Sequence, residues 1–282
     1  EISLLSSLEN MILHSNSISG TIPAFLGALT NLEILVLRNN NLIGSIPSEL
    51  FFTGLRILHL DGNSLNGTIP IIESSSSSSS SSSATSQLVD VRFARNYLTG
   101  SVPFGLGSIP GLGRVELHKN QLTGPLPIQF FNNPSIRRLR LDDNRFTGQL
   151  PQSIEQKLGI EDLRLNFNNL EGSLSGELLP SLPNLVTLNL ESCNLSGGLA
   201  EDFHLLNRTL RNLVLSNNNF TGPIPQAFDQ LTSLNYLILH GNHLTGTISN
   251  TLCEQKGNLF FDLRNLTAPP SVACTCCDLQ LR

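Results

Sequence analysis

The side chains with the most distinctive chemistry are arginines that recur at alternating positions in the middle of the chain. They are Arg92, Arg114, Arg138, Arg140 and Arg164. A guanidinium group binds a carboxylate through two parallel hydrogen bonds, so these residues could recognise an acidic ligand. Acidic residues interleave with them, namely Asp90, Glu116, Asp142 and Asp162. Two interpretations stay open: surface ion pairs that neutralise one another, or a binding site for an anionic ligand or a partner.

A second candidate chemistry lies in the cysteines, four of which cluster near the end of the chain. These are Cys253, Cys274, Cys276 and Cys277. We predict that they form disulfides, which would indicate an oxidising compartment, and free thiols are the alternative. A zinc site is disfavoured because the tail contains no histidine. The Cys-x-Cys-Cys spacing also suits a tetrahedral ion poorly.

No residue pattern predicts catalysis. The six histidines are scattered along the chain, and no G-x-S-x-G, H-E-x-x-H, Walker or dinucleotide motif occurs. We expect no catalytic, cofactor-binding or metal-binding residues and predict that the protein is not an enzyme. A net charge of −5 gives no basic surface for nucleic acid. No apolar run approaches the ~18–20 residues that span a bilayer.

The charged residues are positioned by a repeat, L-x-x-L-x-L-x-x-N-x-L-x-G-x-I-P, with a usual spacing of 23 to 25 residues. It begins at Leu8, Leu32, Leu55, Leu88, Leu112, Ile136, Ile160, Leu185, Leu210 and Leu234. The L-x-L pair alternates with exposed residues and predicts a short strand. Stacked parallel strands form one face of a coil, so we predict an α/β solenoid of about ten 24-residue repeats. We expect residues 1–252 to form this solenoid and residues 253–282 to form a cysteine-containing C-terminal cap over its last hydrophobic layer.

Three columns of the repeat predict how the coil is held together. The ninth position forms a structural ladder: Asn16, Asn40, Asn63, Asn96, Asn120, Asn144, Asn168, Cys193, Asn218 and Asn242. A buried amide at this bend would bond backbone groups of adjacent turns, and leaving such groups unmet costs roughly 1–3 kcal/mol each. The glycine column permits tight bends. An apolar residue three positions after the proline should pack the back of the coil.

The alternating strand positions predict the composition of the concave face. Its middle is the ladder of arginines and acids, and both of its ends are apolar. The candidate binding residues are Arg92, Arg114, Glu116, Arg138, Arg140, Asp162, Arg164, Ile34, Val36, Ile57, Tyr236 and Ile238. Together with Ile12, the residues Ile34, Val36 and Ile57 could form a contiguous apolar patch. Such patches mark contact sites more often than scattered apolar residues do.

Two kinds of segment are candidates for modification. Residues 73–87 form a serine-rich insertion, which we predict to be a disordered loop because it can bury nothing. The serine run is either a tolerated expansion in a loop or a site of O-glycosylation or phosphorylation. N-x-S/T motifs make N-glycosylation candidates of Asn66, Asn194, Asn207, Asn219 and Asn265. All five fall in connections or in the tail rather than in the predicted strand cores.

The second half of the repeat is similar to the plant-type leucine-rich repeat. It stands at Leu42–Pro47, Leu65–Pro70 and Phe220–Pro225, and the resemblance covers roughly residues 5–252. Known members are ectodomains of receptor-like kinases and receptor-like proteins, and polygalacturonase-inhibiting proteins. The resemblance implies a right-handed superhelix with a parallel β-sheet on its concave face, which binds peptides, proteins or glycans. The chain lacks the cysteine-and-tryptophan cap of the plant proteins, and its tail, Val272–Cys277, resembles secreted repeat proteins of stramenopile algae.

The combined features predict a non-catalytic extracellular module for protein interaction or ligand recognition, either receptor-like or secreted. Two alternatives stay open: a self-associating structural component of an extracellular coat, matrix or filament, and a secreted inhibitor of a wall-degrading enzyme. The expected partners are a protein, peptide or glycan ligand, further copies of the chain, or other extracellular structural proteins. We expect neither a cofactor, nor nucleic acid, nor a membrane span within these residues. The chain opens inside a repeat at Glu1, without an initiator Met or a signal peptide, so we expect a processed or an incomplete chain. We expect the protein at the cell surface or in the extracellular space.

Overall fold

The computed structural model describes residues 5–71, 86–152, 154, 156–174, 178–247, 249 and 251–252, and the backbone of 260–262 and 272–273. They divide into two compact units, Glu1–Arg145 and Phe146–Arg282. Most of the serine-rich insertion and all four cysteines of the tail lie outside the described residues. The predicted disordered loop and the predicted disulfides therefore stay predictions.

Short parallel strands form the front sheet of the first unit, one from each repeat. They are β1 (Asn10–Ile12), β3 (Ile34–Val36), β5 (Ile57–His59), β7 (Asp90–Arg92), β9 (Arg114–Glu116) and β11 (Arg138–Arg140). Adjacent strands pair in register, so that equivalent residues stand side by side, as Ile34, Ile57 and Asp90 do. The middle residue of each strand, such as Leu35 or Leu58, is buried. This is the alternation that the L-x-L pattern predicts.

A second parallel sheet, the lateral sheet, follows the bend after each front strand, and the repeat pattern had not predicted it. In the first unit it consists of β2 (Ser19–Thr21), β4 (Asn41–Gly44), β6 (Ser64–Thr68), β8 (Tyr97–Gly100) and β10 (Gln121–Pro125). The repeat glycine lies at or next to the end of each lateral strand and has a positive φ in all ten repeats, as at Gly44 with φ 79°. Residues with a Cβ are strained at positive φ, and this explains the glycine column of the repeat. Short helices then close each turn, namely 3₁₀ helices at Ala24–Ala28, Ser48–Phe52 and Ile128–Phe131 and the one-turn α1 at Phe104–Gly107.

The second unit repeats this plan. Its front sheet contains β13 (Asp162–Arg164), β15 (Thr187–Asn189), β17 (Asn212–Val214), β19 (Tyr236–Ile238) and β21 (Phe260–Asp262). Its lateral strands are β12 (Arg145–Gln149, beginning at the last residue of the first unit), β14 (Asn169–Glu171), β16 (Ser196–Gly197), β18 (Asn219–Pro223), β20 (His243–Thr247) and β22 (Val272–Ala273). The 3₁₀ helices lie at Leu179–Ser181, Glu201–Leu206 and Gln226–Gln230.

The segment predicted as a cap contributes a strand to both sheets. In the second unit β21 pairs in parallel with β19, and β22 pairs in parallel with β20. The described residues therefore hold eleven front strands, one more than the ten repeats predict. The extra strand escaped the pattern because Phe260–Asp262 lacks the leucine spacing of the other repeats.

The core of each unit is built from stacked apolar layers, and the back column is buried as predicted. Its members are Leu26, Leu50, Leu106 and Phe130 in the first unit, and Ile154, Leu178, Phe203, Phe228 and Leu252 in the second. The rings of Phe203 and Phe228 meet edge to face with centroids 5.0 Å apart. Burying one such side chain contributes roughly 1.5–3 kcal/mol, and each layer contacts only its neighbours. The prediction of an α/β solenoid is confirmed. Helices in the described ranges are short, and none has the length and apolar character of a membrane-spanning segment.

Candidate functional site

An asparagine after each front strand holds the bend that carries the outward-facing residues. In the first unit, Nδ2 of Asn96 donates to the carbonyl oxygens of Leu60 and Phe93 at 3.0 and 3.1 Å. Its Oδ1 accepts the N–H of Leu65 at 2.9 Å. Two of these groups belong to the preceding repeat, so the amide links two turns. The same three bonds recur at Asn40, Asn63, Asn120, Asn144, Asn218 and Asn242.

The ladder positions of the first and the eighth repeat depart from this arrangement. Asn16, in the first repeat, is exposed and donates to carbonyl oxygens of its own turn, those of Leu13 and His14. Asn168, in the seventh repeat, accepts from the N–H of Phe146 and donates to the carbonyl of Leu165, as the other ladder amides do at their own turns. The eighth ladder position is occupied by Cys193.

Cys193 fills its ladder position as a small buried thiol. Its Sγ donates to the carbonyl oxygen of Leu165 at 3.3 Å, and its N–H donates to Oδ1 of Asn218 at 3.0 Å. The same oxygen accepts the N–H of Leu195. Burial raises the pKa of the Cys193 thiol to about 12. The side chain is therefore structural and carries no thiolate at neutral pH.

The residue before each ladder position has a positive φ, which the sequence analysis missed. These residues are Ser15, Asn39, Gly62, Arg95, Lys119, Asp143, Phe167, Ser192, Asn217 and Gly241. A Cβ on Gly62 would collide with Oδ1 of Asn39. Half of the ten positions are Gly, Asn or Asp, the residues that tolerate this conformation best. That enrichment is the signal that could have located the bend.

The charged residues of the first unit form a compact group, here called the charged cluster: His59, Asp90, Arg92, Arg114, Glu116 and Arg138. Asp90 is its centre. Nε and Nη2 of Arg92 donate to the two carboxylate oxygens of Asp90 at 3.0 and 2.8 Å. Nε2 of His59 and Nη1 of Arg114 lie 3.2 and 3.7 Å from Oδ2 of the same carboxylate. One carboxylate is thus approached by side-chain nitrogens from three adjacent strands.

The electrostatics of Asp90 reflect this surrounding charge. Burial by itself would raise the pKa of Asp90, but the His59 ring and the Arg92 guanidinium outweigh it and lower the pKa to about 2. Asp90 in turn raises the pKa of Arg92 above its usual value. The carboxylate is therefore ionised at any physiological pH.

The acids of the cluster are less exposed than two of its arginines, Arg114 and Arg138, whereas Arg92 at 22% is nearly as covered as Asp90. Oε1 of Glu116 lies 4.0 Å from Nε of Arg114 and 3.7 Å from Nη1 of Arg138. The side chains of Asp90 and Glu116 are only 18% and 13% exposed, whereas those of Arg114 and Arg138 are 34% and 36% exposed. The acids therefore hold the arginines in place, and the guanidinium groups form the accessible surface. Arg140, beside this group, is half-buried.

Two polar residues next to the front strands were not among the predicted site residues. Burial raises the pKa of Asp61 above its usual value and lowers the pKa of His118. Asp61 lies two residues after His59, and its Oδ1 has no hydrogen-bond partner in the described part of the chain. Both residues occupy the position just before the positive-φ bend, so the strand pattern gave no indication of their burial.

The predicted apolar patch is smaller than expected. Ile12 is 56% exposed, and Ile34 and Ile57 are half-buried, but Val36 is only 8% exposed. Val36 lies in register between Ile12 and His59, whose longer side chains flank it on both sides. The placement of Val36 on an exposed patch was therefore wrong, and Ile12, which lies on the sheet edge, is the main apolar surface.

The second unit carries the remaining predicted site residues. Nε of Arg164 donates to Oδ1 of Asp162 at 2.9 Å, and Asp162 is buried. Tyr236 is 50% exposed and Ile238 is half-buried. Both were expected at an apolar end of the face, but β21 pairs alongside them, so they do not lie on the last strand.

The described glycosylation candidates lie away from the front strands. Asn66 and Asn219 are exposed on lateral strands β6 and β18, and Asn194 is exposed just before β16. Asn207 is half-buried at the end of a 3₁₀ helix. Asn265 lies outside the described residues.

Comparison with known proteins identifies the class to which this architecture belongs. The family model described as "Leucine Rich Repeat" matches residues 7–29, 31–52, 135–156, 184–206, 209–231 and 233–254. The matched segments are leucine-rich repeats, and the chain is homologous to the leucine-rich-repeat ectodomains of plant receptor-like kinases, as predicted. Among curated relatives, a probable LRR receptor-like serine/threonine-protein kinase of Arabidopsis thaliana is 30% identical over 103 residues, 36% of this chain and 10% of the relative. The receptor-like protein kinase PXC2 of the same plant is 38% identical over 80 residues, 28% of this chain and 8% of the relative.

Solved structures of plant ectodomains share the fold along nearly the whole chain. The plant peptide hormone receptor RGFR1, in complex with RGF2, has a TM-score of 0.83 and 28% identity over 97% of this chain and 41% of its own. The Arabidopsis thaliana receptor kinase GASSHO1/SCHENGEN3 has a TM-score of 0.84 and 28% identity, with 98% and 31% covered. A plant ice-binding protein has a TM-score of 0.70 and 25% identity, with 95% and 84% covered. The chain thus spans about a tenth of the curated relatives and less than half of the receptor ectodomains.

Proposed function

We propose that the chain is a non-catalytic recognition module that binds a protein or peptide ligand across the front sheet of its first unit. The observation that carries this proposal is the layering of the charged cluster, in which Asp90 and Glu116 lie beneath partly exposed arginines. The acids position the guanidinium groups, whose outer edges can still donate hydrogen bonds to a ligand. Donors that are already positioned lose little conformational entropy on binding.

The charge balance of the cluster favours a particular kind of ligand. Three arginines face two carboxylates, so a polyanion would gain little from the summed field. An extended peptide or a flat protein surface that offers both carboxylates and hydroxyls matches this surface better. Exposed ion pairs contribute at most about 1 kcal/mol each. Ile12, Ile34 and Ile57 beside the cluster would therefore supply most of the binding energy, at roughly 25 cal/mol per Å² of apolar area buried.

The comparisons support this proposal in two respects. The curated kinases match the chain only in their leucine-rich-repeat region, which is not the catalytic part of those proteins. The receptor RGFR1 is solved with its peptide hormone bound. By analogy with such ectodomains we place the chain at the cell surface or in the extracellular space. The two alternatives, a self-associating structural component and an inhibitor of a wall-degrading enzyme, stay predictions.

The test is a selection of peptide binders from a displayed library of random linear peptides, followed by variants of the cluster. We expect selected peptides to combine Asp or Glu with Ser or Thr and with apolar residues, and to lose at least tenfold in affinity for Arg114→Glu/Arg138→Glu. Arg56→Glu is the matched control, because Arg56 is 58% exposed and pairs with Glu33 rather than with the cluster. Peptides that bind the double variant and the wild type equally would place recognition on another surface.

A further inference from the structure

A glycosylation candidate and an exposed tyrosine, Asn66 and Tyr97, lie side by side on the lateral sheet. Asn66, in the motif Asn66-Gly67-Thr68, lies on β6, and Tyr97 begins β8. The parallel register pairs Asn66 with Tyr97 directly. Both side chains are exposed, Tyr97 by 56%, and each is flanked by a buried leucine, so they project from the same face. Adjacent strands are roughly 4.8 Å apart, which brings the tyrosine ring within reach of a group attached to the amide.

We propose that Asn66 carries an N-linked glycan and that the first sugar of this glycan packs on the ring of Tyr97. The exposed aromatic ring of Tyr97 offers an apolar face against which an attached group can pack. The apolar C–H face of a pyranose ring is suited to such contact, and its hydroxyls stay solvated. The five lateral strands of the first unit contain no charged residue, and Thr68 and Thr99 lie in register next to the pair. The surface around the glycan is thus neutral and rich in hydroxyl groups.

The modification itself needs a lipid pyrophosphate-linked oligosaccharide as donor. Nδ2 of Asn66 forms a bond to C1 of the first sugar, and the bond between C1 and the pyrophosphate oxygen breaks. The lipid pyrophosphate leaves with the electron pair of that bond, and the amide gives up one proton to a base of the transferring enzyme. The side chain of Asn66 is exposed in the folded chain, so the product requires no rearrangement of β6.

The second unit offers a comparison site at which the paired residue has no ring. Asn219, in the motif Asn219-Phe220-Thr221, is also exposed and is the first residue of the lateral strand β18. Its register partner is Ser196, which has no ring. A sugar on Asn219 would therefore lack the support that Tyr97 gives to a sugar on Asn66. A glycan on Asn66 also leaves the front sheet uncovered, so this inference and the proposed ligand site are independent of each other.

The experiment is secretion of the full chain from insect cells, followed by peptide mass spectrometry and thermal unfolding. An endoglycosidase trims each N-glycan to a single N-acetylglucosamine. We expect Asn66 to be modified, and the trimmed chain to melt roughly 2 °C above the Asn66→Gln variant. Tyr97→Ser should abolish this gain and Tyr97→Phe should retain it. Trimmed wild type and Asn219→Gln should melt within about 0.5 °C of each other.

Two results would overturn the inference. The first is an unmodified Asn66 in the secreted chain. The second is a stabilising effect of the Asn66 sugar that is unchanged in Tyr97→Ser. Because Tyr97 is exposed and Tyr97→Phe keeps the ring, loss of folding in one variant cannot imitate the expected pattern.

Discussion

Asp90 and Arg92 lie two residues apart on one strand and are joined by two hydrogen bonds of 3.0 and 2.8 Å. Residues at i and i+2 of a strand face the same side, which allows this pairing within β7. His59 and Arg114 approach the same carboxylate from β5 and β9, the strands on either side. In the second unit Asp162 and Arg164 repeat the pairing at 2.9 Å. The sequence D-x-R on a front strand therefore produces a preformed ion pair.

Asp90→Asn should destabilise the chain by about 1–3 kcal/mol at pH 7, because Arg92 loses a charged acceptor in a largely buried position. Thermal or urea unfolding measures the change. Glu33→Gln is the control: it also removes an ion-pair acid, but one that is 55% exposed and 3.9 Å from Arg56. We expect that variant to stay within about 0.5 kcal/mol of wild type. Equal losses in the two variants would contradict the central role of Asp90.

The stability difference between wild type and Asp90→Asn should depend on pH. The pKa of Asp90 is lowered from 3.8 to about 2 in the folded chain. Since the unfolded chain binds the proton more tightly, the contribution of the carboxylate is present above about pH 4 and is lost as the pH falls from there through about 2. Melting temperatures of both proteins between pH 7 and pH 2 test this. A difference that is constant over the whole range would exclude the assigned ion pair.

The stability difference between wild type and Asp61→Asn should depend on pH in the opposite direction. Burial raises the pKa of Asp61, so the folded chain binds the proton more tightly than the unfolded chain. Its contribution is therefore favourable below pH 3.8 and is lost as the pH rises through the folded pKa. At pH 7 the neutral amide should make the chain more stable than wild type, and the advantage should fade in acid. A variant less stable than wild type at pH 7 would show that the carboxylate has a favourable partner.

Asn96→Ala should cost about 1–3 kcal/mol, because the carbonyls of Leu60 and Phe93 and the N–H of Leu65 lose their partner. Chemical unfolding monitored by circular dichroism measures the loss. Asn41→Ala replaces an exposed asparagine at the start of β4 and should change stability by less than about 0.5 kcal/mol. Similar effects of the two substitutions would refute the structural role of the ladder.

Cys193 should resist alkylation in the folded chain. Its thiol is buried and its pKa is about 12, so almost no thiolate exists at pH 8. Iodoacetamide labelling followed by peptide mass spectrometry should find Cys193 unmodified in native buffer and fully modified in denaturant. The denatured sample is the control for reactivity. Rapid labelling of the native chain would show that the second unit opens locally around this position.

The sequence by itself determined the fold class and much of its internal support. The residues of each repeat determine its local structure. The leucine spacing places the strand, the asparagine fixes the bend, and the glycine permits the turn. Asn96, Gly44 and Leu50 have the roles that their columns predict. This succeeds because a layer contacts only its neighbours, so local pattern and tertiary packing agree. The lateral sheet and the strand β21 were missed, since their pairing depends on a neighbouring turn rather than on a hydrophobic period.

The tertiary structure alone decided which surface residues act together. The sequence placed Arg92, Arg114 and Glu116 on one face, but it could not show that the acids lie beneath the arginines. Nor could it show that Val36 is covered by its neighbours, or that Asn66 stands beside Tyr97, 31 positions later in the sequence. Exposure and contact depend on side-chain length, register and the curvature of adjacent turns. None of these quantities is a property of one repeat, so they emerge only when the turns are stacked.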